Sequence, residues 1–209
     1  MDKTINYHMK VLKDCYLSEI ITELFAGKTL IFPTETSYGL GCDATSQKAV
    51  DEIFKIKERD ESKSLLIIVP SIDMARKYLV WNNTIEQLAK AYWPGPLTIV
   101  GFAMEGSGLA RGVVSQFGTV AVRVSAHPTA KFLSESLGRP IVATSGNISN
   151  SGDIYNTEDV VQMFADKKNQ PDLILDSGVL PKRLPTTIVD ASNNMIKILR
   201  QGELQIQHV

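Results

Sequence analysis

Residues 65–69, Leu-Leu-Ile-Ile-Val, form an unbroken apolar run ended by Pro70. Five such residues make a strand covered on both faces, and only layers of other elements can cover it. The flanks supply those layers. Residues 18–25 and 46–59 carry apolar side chains at helical spacing, through Ile20, Ile21, Leu24 and Phe25 and then Ala49, Val50, Ile53 and Phe54. Gly27 stands where a left-handed helix stop belongs.

Further helices are predicted over 72–78, 84–92, 128–137 and 158–164, the last with Thr157 as its cap. Strands are predicted over 29–32, 97–102, 119–124, 141–143, 173–175, 187–189 and 196–199. Pro94 and Pro96 forbid extension of the 84–92 helix. This interleaving implies an α/β class, a twisted mixed sheet with packed helices. The late strands lie too close together for parallel crossovers, which argues for some antiparallel pairing. Residues 103–118 hold four glycines with weak periodicity and are expected to form a lid or rim.

With 209 residues, 44% hydrophobic and 22% charged, and no repeat or composition break, the chain is expected to be one domain spanning 1–209. A net charge of -1 provides no general positive field for nucleic acid or anionic membranes, so any anion must be held locally. Residues 1–13 lack the apolar stretch of a signal peptide, and no run approaches the length of a membrane span. Cys15 and Cys42 do not make a disulfide framework, so a cytoplasmic location is expected.

Several familiar motifs fail. Gly27-Lys28-Thr29 lacks the earlier glycine of a phosphate loop, since Thr22 occupies that position. Gly106 and Gly108 lead to Arg111 where a dinucleotide loop needs a third glycine. Only His8, His127 and His208 are present, without metal-ligand spacing, so no protein ligand for a metal is read.

Candidate chemistry gathers in separated segments. Residues 33–41 combine Thr34, Glu35, Thr36 and Tyr38 with Gly39 and Gly41, which suits either a self-bonded surface turn or a loop admitting a small polar ligand. Lys57 and Arg59 close a helix, with Lys63 beyond, and either complement its dipole or bind an anion. Arg123 ends a strand, and Thr144-Ser145-Gly146-Asn147 follows another; such boundaries collect ligands in α/β sheets, although a cap or polar turn explains the second equally well.

Read together, Pro33-Thr34-Glu35-Thr36-x-Tyr38-Gly39-Leu40-Gly41, Lys57-x-Arg59, Trp93-Pro94-Gly95-Pro96-Leu97-Thr98, Arg123-x-x-x-His127, Thr144-Ser145-x-Asn147-x-Ser149 and Leu199-Arg200-x-Gly202 resemble the YrdC-like family, in order and over most of the chain. Asp60, Ser64 and Ser125 replace frequent prolines of that family, and Gly146 a frequent alanine.

The resemblance implies a YrdC-like fold with a positively charged cavity. It also implies synthesis of L-threonylcarbamoyladenylate from L-threonine, bicarbonate and ATP with Mg2+, feeding a tRNA threonylcarbamoyltransferase complex. Under it, Lys57 and Arg59 act on phosphate and carbamate oxygens as catalytic and nucleotide-binding residues, joined at the nucleotide by Ser145, Asn147 and Arg200. Thr34, Tyr38, Lys63, Arg123 and Thr144 are assigned to the threonine side. Alternatives are a non-catalytic double-stranded RNA-binding module, which the neutral charge disfavours, and a paralogue with another acceptor.

Overall fold

The computed structural model describes residues 9–13 and 16–207; Cys15, His8 and His208 lie outside the described residues. The apolar runs become strands whose side chains alternate between two cores. In β2 (Leu30–Pro33), Leu30 and Phe32 face one cluster while Ile31 faces the other; in β4 (Ile67–Val69), Ile68 and the pair Ile67 and Val69 divide the same way. Burying each such side chain contributes about 1.5–3 kcal/mol, and the two-residue strand period allows both faces to be used.

Helices α1 (Leu17–Phe25) and α5 (Pro128–Leu137) cover the first cluster with Ile20, Leu24, Ala130, Leu133 and Leu137. Helices α2 (Gln47–Lys57), α4 (Asn83–Tyr92) and α6 (Thr157–Phe164) cover the second, through Ile53, Leu88, Phe164 and their neighbours. Caps are set by side chains: Ser46, Asn82 and His127 accept from backbone amides of α2, α4 and α5. Helix α6 corrects the expected Thr157 cap. Asn156 accepts from the Asp159 amide at 2.7 Å, and Thr157 turns inward to Asp176.

Mixed pairing is present, divided between two sheets. One has the order β1 (Lys10–Lys13), β9 (Leu173–Asp176), β2, β3 (Tyr38–Gly41) and β8 (Thr144–Ser145). The other runs β11 (Lys197–Arg200), β10 (Thr187–Asp190), β5 (Leu97–Phe102), β6 (Thr119–Val124), β4 and β7 (Ile141–Val142). Pairs β1·β9, β9·β2, β10·β5 and β6·β4 are parallel, and β2·β3, β3·β8, β10·β11, β5·β6 and β4·β7 are antiparallel. The short helix α3 (Ile72–Ala75) ends three residues before the predicted stop, in turns.

The two sheets meet where β7 passes into β8. Ile141 and Val142 pair with β4, and after Ala143 the chain pairs with β3 of the other sheet. Glycine makes this close approach possible. A Cβ on Gly41 would lie 2.1 Å from the Val142 carbonyl oxygen, and one on Gly146 2.9 Å from that of Tyr38. The expectation that Gly41 clears space for a ligand is therefore corrected: it clears space for a neighbouring backbone.

The 103–118 segment is also not the lid or rim expected of it. Its Val113 is fully buried, Ala110 donates to the Ala44 carbonyl at 2.9 Å, and Gly112 accepts from Leu65 at 2.8 Å, so residues 110–113 pack on the core around α2, while 104–106 and 116–118 are exposed. Among the described residues no helix is long and apolar enough to cross a membrane.

Gly41→Ala forces a backbone shift between β3 and β7. Urea unfolding should show a loss of about 3 kcal/mol, at the upper end of ordinary overpacking costs; an unchanged midpoint would contradict the packing described.

Candidate active site

The polar segments converge on the seam between the sheets. Thr34, Thr36, Ser37 and Gly39 from the β2–β3 turn, Arg123 from β6, Thr144 and Ser145 from β8, and Arg200 from β11 line a cavity of about 350 Å³, with Arg59 and Asp153. A second hollow of about 260 Å³ adjoins it through the shared residues Arg59 and Ser145, and is lined also by Lys57, Lys63 and Asn147. Together they fall within the size range of small-molecule sites.

Lys57 is the organiser of this region and lines the smaller hollow while its ammonium is bonded to the protein's own oxygens. Only 1% exposed, its Nζ donates to the Ser145 carbonyl at 2.5 Å, the Asn147 carbonyl at 2.7 Å and Asn147 Oδ1 at 3.0 Å. An ammonium has three N–H groups, so these bonds use all of them. Its own carbonyl accepts from the Ser149 amide at 3.0 Å and Ser149 Oγ at 2.9 Å. Both ends of Lys57 thus tie the 145–149 segment to the end of α2, where Glu58 takes the left-handed conformation.

Asn147 is held in the same knot. Oδ1 also accepts from Ser145 Oγ at 2.6 Å, and Nδ2 donates to the Gly152 carbonyl.

The three arginines are less committed. Arg59 donates from Nε to the Lys63 carbonyl at 3.1 Å and from Nη2 to the Ser64 carbonyl at 3.2 Å. Arg200 donates from Nε and Nη2 to the Thr186 carbonyl and from Nη2 to Thr186 Oγ1. Each leaves Nη1 without a hydrogen bond to a described residue. Arg123 is 4% exposed, yet no described residue forms a hydrogen bond with its guanidinium; its charge partner is Glu35, 3.7 Å from Nε. Burial lowers the pKa of all three, with Glu35 opposing the shift at Arg123, Asp60 at Arg59 and Asp153 at Arg200. A guanidinium remains charged at any working pH, so the cavity keeps a concentrated positive field.

Two further assigned residues stand elsewhere. Tyr38 is fully buried and lines neither hollow; its hydroxyl donates to the Gly178 carbonyl at 2.8 Å and accepts from the Ser177 amide at 3.0 Å. The reason lies in strand alternation: Tyr38 points into the core, while Gly39 faces the cavity. Lys63, exposed on the 60–63 turn, lines the smaller hollow and stands apart from Thr34, Arg123 and Thr144. Thr34 does reach the main cavity. Its hydroxyl also closes the turn, donating to the Ser37 carbonyl at 2.7 Å, so both readings of that segment hold.

Sequence reasoning did not single out Asp153 or Thr186, and it named Glu35 within the 33–41 run without giving it a role. Asp153 lines the main cavity between two pinned neighbours, for Gly152 accepts from Asn147 and Ile154 accepts from the Tyr38 amide at 2.9 Å. It makes no ion pair with a described residue, though its charge acts on Lys57 and Arg200. Nothing in the local sequence marks it. Thr36 and Ser37 belong to the hydroxyl-dense run that did carry a signal.

Residues 22–202 match the Sua5/YciO/YrdC family model, described as telomere recombination. The chain belongs to this family. It is 37% identical over 186 residues to the threonylcarbamoyl-AMP synthase of Photorhabdus laumondii, covering 88% of this chain and 94% of that protein. The corresponding enzyme of Vibrio vulnificus is 33% identical over 190 residues, covering 89% and 98%. The crystal structure of P. abyssi Sua5 complexed with L-threonine superposes with a TM-score of 0.83 at 31% identity, over 93% of this chain and 57% of that longer one. E. coli YciO, at 21% identity and a TM-score of 0.81, shares the fold. The family relationship makes this chain a nucleotidyltransferase of the YrdC-like type.

Lys57→Met keeps the side-chain length and removes the three donors. Thermal or urea unfolding should show a loss of about 3 kcal/mol, as for a broken buried polar network, and nucleotide affinity measured by calorimetry should fall with it. The same pair of proteins tests the charge. Burial first, then the charge of Arg59, holds the Lys57 pKa down at about 7, while Asp153 opposes them. The unfolded lysine keeps its proton to a higher pH, so folding releases that proton between about 7 and 10. Across this window the wild type should gain stability relative to Lys57→Met as pH rises, with the difference flat below about 6; a difference that is level throughout would show an unshifted lysine.

Proposed function

We propose that the cavity condenses L-threonine, bicarbonate and ATP into L-threonylcarbamoyladenylate, releasing pyrophosphate, for threonylcarbamoyl-adenosine modification of tRNA. The observation that carries this reading is Arg123, a buried guanidinium without a hydrogen bond to any described residue, open to a hollow that two other arginines share. Such a cation calls for an anionic group from a ligand. The names of the bacterial relatives and the threonine bound to P. abyssi Sua5 support the choice of substrates.

The chemistry matches the charges. Bicarbonate takes up a proton and loses water to give carbon dioxide, and threonine's neutral amine adds to its carbon and releases a proton, giving a carbamate. A carbamate oxygen then attacks the α-phosphorus of ATP, the bond from that phosphorus to the bridging oxygen breaks, and pyrophosphate departs. The carbamate and ATP that meet in this step are both anions, so catalysis rests on preorganised donors aimed at oxygen atoms.

Arg59 sits where the two hollows join and is assigned to the transferring phosphate and carbamate oxygens. Ser145 and Arg200 contact the nucleotide; Lys57 and Asn147 act by holding the 145–149 segment in shape. Arg123, Thr34 and Thr144 take threonine. Lys63, on the smaller hollow, is assigned to outer phosphate oxygens instead.

Magnesium normally combines one or two carboxylates with substrate phosphates, and no described group of three or more potential metal ligands forms a cage of its own. Asp153 fits that need, being on the cavity wall and outside any ion pair, and would hold the ion against the phosphates. When bound, magnesium would neutralise phosphate charge.

Incubation with the three substrates, followed by mass spectrometry for the adenylate and a pyrophosphate assay, tests the reaction. Arg59→Ala should lose at least about 100-fold in adenylate formation, the order seen when one preorganised donor is removed, while its unfolding curve stays close to wild type. Wild-type turnover in that variant would remove Arg59 from the mechanism. Calorimetry should also show threonine bound well above valine, since a site built around a hydroxyl leaves its partners unpaired with the isostere.

A further inference from the structure

Glu35 lies behind Arg123, away from the cavity that the guanidinium faces. Glu35 is absent from the cavity wall, and its carboxylate is 11% exposed. One oxygen, Oε2, accepts from Ser125 Oγ at 2.7 Å; Ser125 is itself 1% exposed and accepts from the His127 amide at 3.1 Å. The other oxygen, Oε1, is buried without a hydrogen bond and faces Arg123 Nε, equally unbonded, across 3.7 Å. That distance is beyond hydrogen-bond range, yet the two charges are close enough to act strongly on each other.

We propose that Glu35, tethered by Ser125, is a positioning residue that sets how tightly Arg123 holds a substrate carboxylate. This rests on the amino-acid reading of the cavity. The tether keeps Glu35 near enough to stabilise the buried cation in the free protein, and far enough that the Nη groups stay open to the ligand. An incoming carboxylate must then share Arg123 with a charge already present. Affinity is thereby moderated, which favours release of a product that retains the same carboxylate.

The sign of the effect separates this from a structural role. Glu35→Gln keeps an acceptor for Ser125 and removes the charge, so the ligand becomes the sole counter-ion of a buried guanidinium. The free protein should melt at a lower temperature. L-Threonine should nevertheless bind about tenfold more tightly by calorimetry, the order expected for one charge several ångströms away in a half-buried site. L-Threoninol, which lacks the carboxylate, should gain nothing.

Ser125→Ala should act in the opposite direction. Released from its tether, Glu35 can close on Arg123, and threonine binding should weaken about threefold; this variant decides the matter if Glu35→Gln does not fold. Unchanged or weaker threonine binding in folded Glu35→Gln, or equal tightening of threoninol, would overturn the proposal. Unchanged or tighter binding in Ser125→Ala would do the same. A wild-type protein that fails to bind threonine would remove the amino-acid reading itself, an outcome distinct from normal binding that the two variants leave unmoved.

Discussion

The cage of oxygen atoms around Lys57 Nζ is the interaction on which the rest of the site depends. A buried ammonium is costly to desolvate, and three acceptors within 3.0 Å are what make its burial tolerable. The same bonds define the backbone at 145–147. That segment places Ser145 on the wall of both hollows and sends the chain on to Gly152 and Asp153. One side chain therefore links the end of α2, the strand that crosses between sheets, and the cavity rim. A cation that reads as a ligand contact in the sequence is bonded to oxygens of the chain itself.

The arginines follow the reverse logic. Arg59 and Arg200 spend part of their donors on backbone carbonyls, which fixes their planes, and Arg123 spends none. Three guanidinium groups in one hollow repel each other, and the acids that offset them are placed unequally. Glu35 sits behind Arg123, and Asp153 lies on the wall within electrostatic reach of Arg200. The free protein thus holds an excess of positive charge in a confined space, a disposition that an anionic nucleotide and carbamate would relieve.

Much of the scaffold was legible from pattern alone. β5, β6 and α5 have the boundaries that periodicity assigns to them, because branched apolar runs and a proline-led helix start report their own local preference. Tyr38–Gly41 and Thr144–Ser145 were not legible as strands. Their glycines and hydroxyls have weak strand preference; β3 is held as a strand by pairing along its length with β2, and β8 by pairing with β3. The same holds for the 103–118 segment, whose packing is set by Phe54 and Leu65 far along the chain.

What the sequence by itself determined is therefore the set of elements, the α/β class, and the residue types bearing charge and hydroxyl groups. Local propensity and the identity of side chains are properties of neighbouring residues, so they survive without coordinates. Only the tertiary structure decided that Arg59, Arg123 and Arg200 share a hollow, that Lys57 and Tyr38 turn away from it, and that Glu35 and Asp153 belong beside it. Those outcomes depend on which face of a strand reaches the seam and on contacts between residues far apart in the chain, such as Lys57 with Asn147, 90 positions on, and Tyr38 with Gly178, 140 positions on. Such distances in sequence leave no local signature.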